Sequence, residues 1–148
     1  MSDWRLRPAT KADADALVAI EAASFGPASW GGRAVEHALG ERFVEAIAAE
    51  DGRGELSGFV MWRRLGDEAE ILTLAVAPTR QRRGCARALL GAVVEAARGA
   101  GMRALFLEVD AGNAAAITLY GKGEFARIAR RPRYYRSGAD ALVMRLDL

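Results

Sequence analysis

One cysteine and one histidine are all that 148 residues contain, and that scarcity removes several function classes at once. Cys85 alone forms neither an internal disulfide framework nor a clustered thiolate metal site, which suits a reducing cytosol. His37 alone weakens any metal-centred or Ser-His-Asp reading, so no metal is expected. An excess of one charge is missing too. The 21 Lys and Arg against 19 Asp and Glu leave +2, well short of a polycationic nucleic-acid binder, and direct nucleic-acid binding is not expected. No stretch approaches the ~20 apolar residues of a membrane span, and the opening MSDWRLRPATKADADAL has no basic segment followed by an apolar one. These absences predict a cytoplasmic protein without a membrane partner. Repeats, low-complexity tracts and long Pro, Gly or Ser linkers are also absent, so residues 1–148 read as one domain, and 51% apolar residues suffice for its core.

What is present is a change of hydrophobic period along the chain. DWRLRP alternates like a strand, and Thr10 with Asp13 three residues on resembles a capping pair that opens a helix from about Lys11 to Ser24. In GPASWGGRAVEHALG the glycines and Pro27 mark a loop, then a short helix from about Arg33 to Leu39, ended by Gly40. RFVEAIAAE, GELSGFVMWRRL and EAEILTLAVAP read as a meander of three strands. Beyond Pro78, Ala86, Leu89, Leu90, Val93, Val94 and Ala97 recur at helical spacing until Gly99 and Gly101. RALFLEV has the length of a buried strand, NAAAITLY is a helix opened by Asn113, and FARIARRPRYY and DALVMRLDL are the final strands. Strand, helix, strand from Ile71 to Val109 makes a βαβ unit. The predicted fold is therefore α/β (α+β), a mixed, mostly antiparallel sheet with a parallel βαβ centre flanked by helices.

RQRRGCARALL, Arg80 to Leu90, follows a strand and opens that long helix. A helix N-terminus presents unpartnered amides and partial positive charge, Gly84 admits a ligand close to the backbone, and Arg82, Arg83 and Arg87 add full charges. The site fits a pyrophosphate; a loop glycine among solvated arginines fits the spacing as well. It matches neither GxxxxGK[ST] nor GxGxxG, so nucleotide hydrolysis and dinucleotide binding lose their usual supports.

The loop resembles that of the GNAT superfamily of acyl-CoA-dependent N-acyltransferases, whose pattern Q/R-x-x-G-x-G/A is met here by Gln81, Gly84 and Ala86. LFLEVDAGNAAAITLY followed by RRPRYY is similar to the bacterial ribosomal-protein-alanine N-acetyltransferases of the RimI type. The resemblance implies acetyl-CoA as co-substrate. It implies that Leu74, Ala75 and Val76 lie on a bulged strand and offer backbone groups to the pantetheine arm and thioester. The amides of Arg82, Arg83, Gly84, Cys85, Ala86 and Arg87 would hold the pyrophosphate, and Asn113 would touch the cofactor, although an N-cap role alone also explains it. Cys85 occupies a variable position of the loop, and direct transfer needs no enzyme nucleophile.

Acetyl transfer to an amine needs a neutral nitrogen, a stabilised oxyanion and a proton for the departing thiolate. Glu108, ending a strand among apolar neighbours, matches the catalytic base of the RimI type, working through water. Tyr120 matches its general acid, a phenol of ordinary pKa about 10 that keeps its proton near neutrality. The amide of Val76 would face the oxyanion. Without the resemblance, an edge glutamate and a core tyrosine fit equally. The type usually continues Y-x-x-L-G-F, whereas this chain runs YGKGEF, with Gly123 for the leucine and Glu124 for the turn glycine. An unfilled leucine site costs about 2 to 5 kcal/mol, and a glutamate at positive φ adds strain. The acceptor, an N-terminal alanine of a small-subunit ribosomal protein, would lie between Phe25–Leu39 and Arg131–Asp140, with Trp30, Tyr134 and Tyr135 as walls or as ordinary packing. Arg127, Arg130, Arg131, Arg133 and Arg136 form a basic run that repels a basic peptide unless its members face cofactor or solvent.

Overall fold

The computed structural model describes residues 4–148; Asp3, first residue of the expected opening strand, lies outside them. The strand itself, β1, is Arg5–Pro8. Thr10 Oγ1 accepts from the Ala12 amide and the Asp13 carboxylate accepts from the Thr10 amide, the expected capping box, which opens a 3-10 turn and then α1 (Ala14–Phe25). The short helix, α2, is Gly32–Leu39. β2 (Val44–Glu50), β3 (Leu56–Leu65) and β4 (Glu68–Val76) form the meander. α3 (Cys85–Gly99), β5 (Ala104–Asp110), α4 (Ala114–Lys122), β6 (Ala126–Arg131) and β7 (Ala141–Asp147) follow. The strand expected to run to Tyr135 stops at Arg131. Pro132 has no amide to give a ladder, and Arg133 turns to φ 50.

The strands form one seven-stranded sheet in the order β1-β2-β3-β4-β5-β7-β6, in which only β4 and β5 run parallel. A mixed, mostly antiparallel sheet with a parallel centre is what the βαβ pattern predicts, because α3 carries the chain back across the sheet between β4 and β5. Helices cover both faces. Leu89, Leu90 and Val93 of α3 and Tyr120 of α4 share a core with Val60, Ile71, Leu107 and Met144; Leu17 and Ile20 of α1 and Val35 of α2 share another with Phe59, Met61 and Ala75. Among the described residues no helix is long and apolar enough to cross a membrane.

Two irregularities open the middle of this sheet. β4 and β5 pair only from Glu68↔Ala104 to Ile71↔Leu107, although both strands continue. Immediately after Ile71, β4 bulges: Ile71 and Thr73 oppose the successive residues Trp62 and Met61 of β3, so Leu72 is the extra residue. The bulge increases the local twist and carries the rest of β4 away from β5.

Candidate active site

Beyond the bulge, β4 has backbone groups facing an open gap. The Ala77 amide donates to the Ser57 carbonyl at 2.8 Å. Antiparallel pairs alternate, so Phe59↔Ala75 is also hydrogen-bonded, while Gly58↔Val76 and Val60↔Leu74 are not. Leu74 and Val76 therefore turn their amides away from β3, toward the side that β5 has left. Ala75 departs from the expectation that all three residues offer backbone groups: its carbonyl lies 2.9 Å from where a Cβ on Gly58 would stand, facing β3. The Val76 carbonyl accepts from Gln81 Nε2 at 3.1 Å, which ties the loop's first pattern residue to the strand end.

The loop has the character expected of an anion site. Arg82 and Gly84 take left-handed φ values of 63° and 82°, and α3 begins at Cys85 with no side chain capping its first turn. Its leading amides are thus left for an external acceptor, and Arg82, Arg83 and Arg87 are exposed around them. No Cβ contact forbids a side chain at Gly84; its φ is what favours glycine. Cys85 is buried, and burial pushes its thiol up to about 11, which leaves it unsuited to nucleophilic work. Ala86 is partly buried against the core under α3. Trp4, which sequence reasoning placed only in a strand, donates from its indole to the Arg83 carbonyl at 3.1 Å and so anchors the loop from the far edge of the sheet. Asn113 does cap α4: its Oδ1 accepts from Ala116 at 3.1 Å, leaving its amide nitrogen to meet a ligand. Between α3 and α4 runs a groove of about 1030 Å³ with Arg82, Arg87, Leu90, Ala114 and Leu119 on its walls.

Glu108 and Tyr120 lie on opposite faces of the sheet. Leu107 and Val109 point into the core under α3, so alternation turns Glu108 to the α1/α2 face, one residue past the last β4–β5 pair. Its side chain is 19% exposed, and Oε2 is buried without a hydrogen bond; Arg131 Nε stands 3.7 Å away, an ion pair too long for one. Tyr120 is buried on the other side, edge-on to Phe125 with ring centroids 5.7 Å apart, and burial, with Tyr135 contributing, pushes its phenol up to about 12. Such a phenol is a hydrogen-bearing group throughout the neutral range. The YGKGEF departure is accommodated. A Cβ on Gly123 would meet Leu90 Cδ2 at 3.1 Å, so Leu90 of α3 stands directly against this position, and Glu124 takes φ 72.

Of the two segments expected to form the acceptor site, the first lines a hollow on the Glu108 face and the second lies beside Glu108 itself. Trp30, Arg33 and His37 line a hollow of about 490 Å³ with Arg63 and with Leu72, the bulge residue. His37 is exposed on α2, its Nδ1 3.1 Å from Glu41. Tyr134 and Tyr135 pack edge to face, with ring centroids 5.1 Å apart. The Glu108 charge is the main cause that raises the Tyr134 phenol; burial, followed by Glu108, raises Tyr135 to about 12. Arg131 lies 5.6 Å over the Tyr134 ring and Arg130 pairs with Asp140, so these two members of the basic run are engaged locally. Glu21 went unnoticed in the sequence because it sits among apolar positions of a helix. It is 1% exposed, and its carboxylate accepts from Ser29 Oγ and, at 2.7 Å, from the Trp30 amide. A buried carboxylate so bonded fixes the loop that carries Trp30 to the hollow.

Comparison with known proteins shows the family. Residues 7–125 match the acetyltransferase (GNAT) family. The chain is 39% identical over 144 residues to the N-alpha-acetyltransferase RimI of Mycobacterium tuberculosis, covering 93% of this chain and 89% of that protein. It is 33% identical to the ribosomal protein bS18-alanine N-acetyltransferase of Escherichia coli K12 over 80% of this chain and 81% of the other. Among solved structures, the Escherichia coli ribosomal-protein-S18-alanine N-acetyltransferase superposes with a TM-score of 0.89 at 31% identity, covering 97% of this chain and 93% of that one. Arabidopsis thaliana NAA60 in complex with acetyl-CoA superposes at 0.85 with 25% identity over 98% of both chains.

Proposed function

The chain belongs to the GNAT acetyltransferase family and is an N-acetyltransferase, and from that premise we propose that it acetylates the N-terminal alanine of a small-subunit ribosomal protein, using acetyl-CoA. The observation that carries the reading is the gap itself. Bulged β4 and β5 part after Ile71 and Leu107, with a carboxylate on one face of the sheet and a buried phenol on the other. The similarity to proteins named for bS18-alanine acetylation supports the choice of acceptor.

Acetyl-CoA supplies an activated acetyl thioester. The uncapped amides from Arg82 to Arg87 would hold its pyrophosphate, with the neighbouring arginines adding charge, and the outward amides of Leu74 and Val76 would hold its arm. The Val76 amide would face the charge that develops on the thioester oxygen. The acceptor enters beneath α2, past Trp30 and Tyr134. Glu108, whose buried Oε2 has no other hydrogen bond, takes the proton from the amine through water. An α-amine has a pKa of about 8, so only a modest base is required. Tyr120 returns a proton on the opposite face, where the thiolate departs.

Mass spectrometry of acetyl transfer tests this directly, with a peptide bearing the bS18 N-terminal alanine sequence run beside a lysine peptide and a panel of small amines. Acetyl on the alanine nitrogen alone is the expected outcome. Acetyl placed mainly on another amine discards the ribosomal acceptor and keeps the chemistry.

A further inference from the structure

Glu70 has no part in the mechanism above, yet it lies one residue before the point where β4 and β5 part. On β4 it is directly opposite Arg63 of β3 and beside Phe106 of β5. Arg63 Nε and Nη2 both reach one oxygen, Oε1, at 2.9 and 2.8 Å, which leaves Oε2 without a partner among the described residues. Ala69 and Ile71 on either side point into the core under α3, so alternation turns Glu70 to the face that Glu108 occupies. Its side chain is 13% exposed, enough to meet a solute and too little for a free surface charge. The Tyr134 phenol responds to Glu108 most strongly and to Glu70 as well, so one tyrosine stands within the field of both carboxylates. Its pairing partner Arg63 and the bulge residue Leu72 line the hollow beneath α2.

We propose that Glu70, held in place by Arg63, is a second acceptor-binding carboxylate that receives the charged amine through Oε2 before Glu108 takes its proton. An α-amine with a pKa of about 8 arrives mostly as the ammonium near neutrality. The groups facing it are largely cationic: Arg63 beside Glu70, Arg131 near Glu108, and Arg33 with the His37–Glu41 pair from α2. A lone carboxylate that must also serve as the proton acceptor would have to attract the ammonium against those arginines. Two divide the work. The asymmetry of their surroundings sets the division, since Arg63 fixes the rotamer of Glu70 while the inner oxygen of Glu108 is left without a hydrogen bond. The inference rests on reading this cleft as the acceptor site.

A cross-strand ion pair with only a structural duty would occupy the same register, and pH separates the two roles. Glu70→Gln keeps the size and loses the charge. At pH near 7, KM for the alanine peptide should rise about tenfold, with kcat and the acetyl-CoA dissociation constant changed less than about twofold. The KM ratio of variant to wild type should fall toward one as the pH passes the amine pKa of about 8, because a neutral amine offers Glu70 no charge. Glu70→Asp, which keeps the charge, should recover part of the affinity. Should the glutamine variant fail to fold, Glu70→Thr removes the charge with a strand-compatible side chain and carries the same expectation. An unchanged KM, or a rise that persists undiminished above the amine pKa, overturns the proposal. If the wild type leaves the alanine peptide untouched and acetylates another amine of the panel, the ribosomal reading fails. The same comparison on that amine then decides the role of Glu70, with convergence at that amine's own pKa.

Discussion

Ile71 and Leu107 are the last residues to pair β4 with β5, and each strand begins its share of the site one residue later. On β4 the next residue is Leu72, whose insertion bends the strand and frees the amides of Leu74 and Val76. On β5 it is Glu108. A single parting point thus sets the backbone donors on one side of the gap and the carboxylate on the other.

Replacing Glu108 by Gln removes the proton acceptor and keeps the side chain's volume. Turnover should fall by about a hundredfold or more, with acetyl-CoA affinity unchanged in equilibrium titration. A rate within about twofold of wild type would remove Glu108 from the mechanism.

Tyr120→Phe retains the ring contact with Phe125 and loses only the hydroxyl. Transfer should slow by about a hundredfold while the melting temperature stays close to that of wild type. Because burial holds the wild-type phenol up to about 12, it remains protonated well above its ordinary value of about 10. The wild-type rate should therefore show no alkaline loss from this group around pH 10. A descending limb near pH 10 that disappears in Tyr120→Phe would contradict the burial of this hydroxyl.

Gly84 adopts φ 82 in open space, so its replacement acts through backbone strain and the approach of a ligand. Gly84→Val should raise the acetyl-CoA dissociation constant at least about tenfold, since the loop amides lose their shared direction. An unchanged constant in calorimetric titration would refute the pyrophosphate role of the loop.

Glu124 holds φ 72, a conformation that costs a side-chain-bearing residue about 1 to 2 kcal/mol. Glu124→Gly removes that strain and gives back part of the gain through a freer unfolded chain, for a net stabilisation of about 0.5 to 1 kcal/mol. Urea unfolding should show a higher midpoint with the same slope. A lower midpoint would mean that the glutamate contributes contacts that outweigh its backbone strain.

Much of the architecture was legible because periodicity reports it. The capping box at Thr10, the amphipathic run of α3 and the apolar β5 are local patterns, and they fell close to where spacing put them. The end of β6 was misread because arginines and tyrosines suit a strand; Pro132 and the turned Arg133 decided otherwise. Glu21 stayed hidden because one charged residue in an apolar helix face carries no signature until Ser29 and the Trp30 amide are folded against it. The bulge at Leu72 leaves no mark in EAEILTLAV, since it exists only as a mismatch of register with β3. That Leu90 of α3 stands against Gly123 is likewise invisible in YGKGEF, since Gly123 ends a different helix, α4.

The sequence by itself determined the order of the elements, the glycine and arginines at the start of α3, and the presence of Glu108 and Tyr120 at the ends of a strand and a helix, because each depends on spacing along the chain. Tertiary structure alone decided that β4 and β5 part after Ile71 and Leu107, that Glu108 and Tyr120 lie on opposite faces of the sheet, and that Glu70 shares the Glu108 side. Those relations depend on strand register and twist, which arise between segments distant in sequence, and no local pattern encodes them.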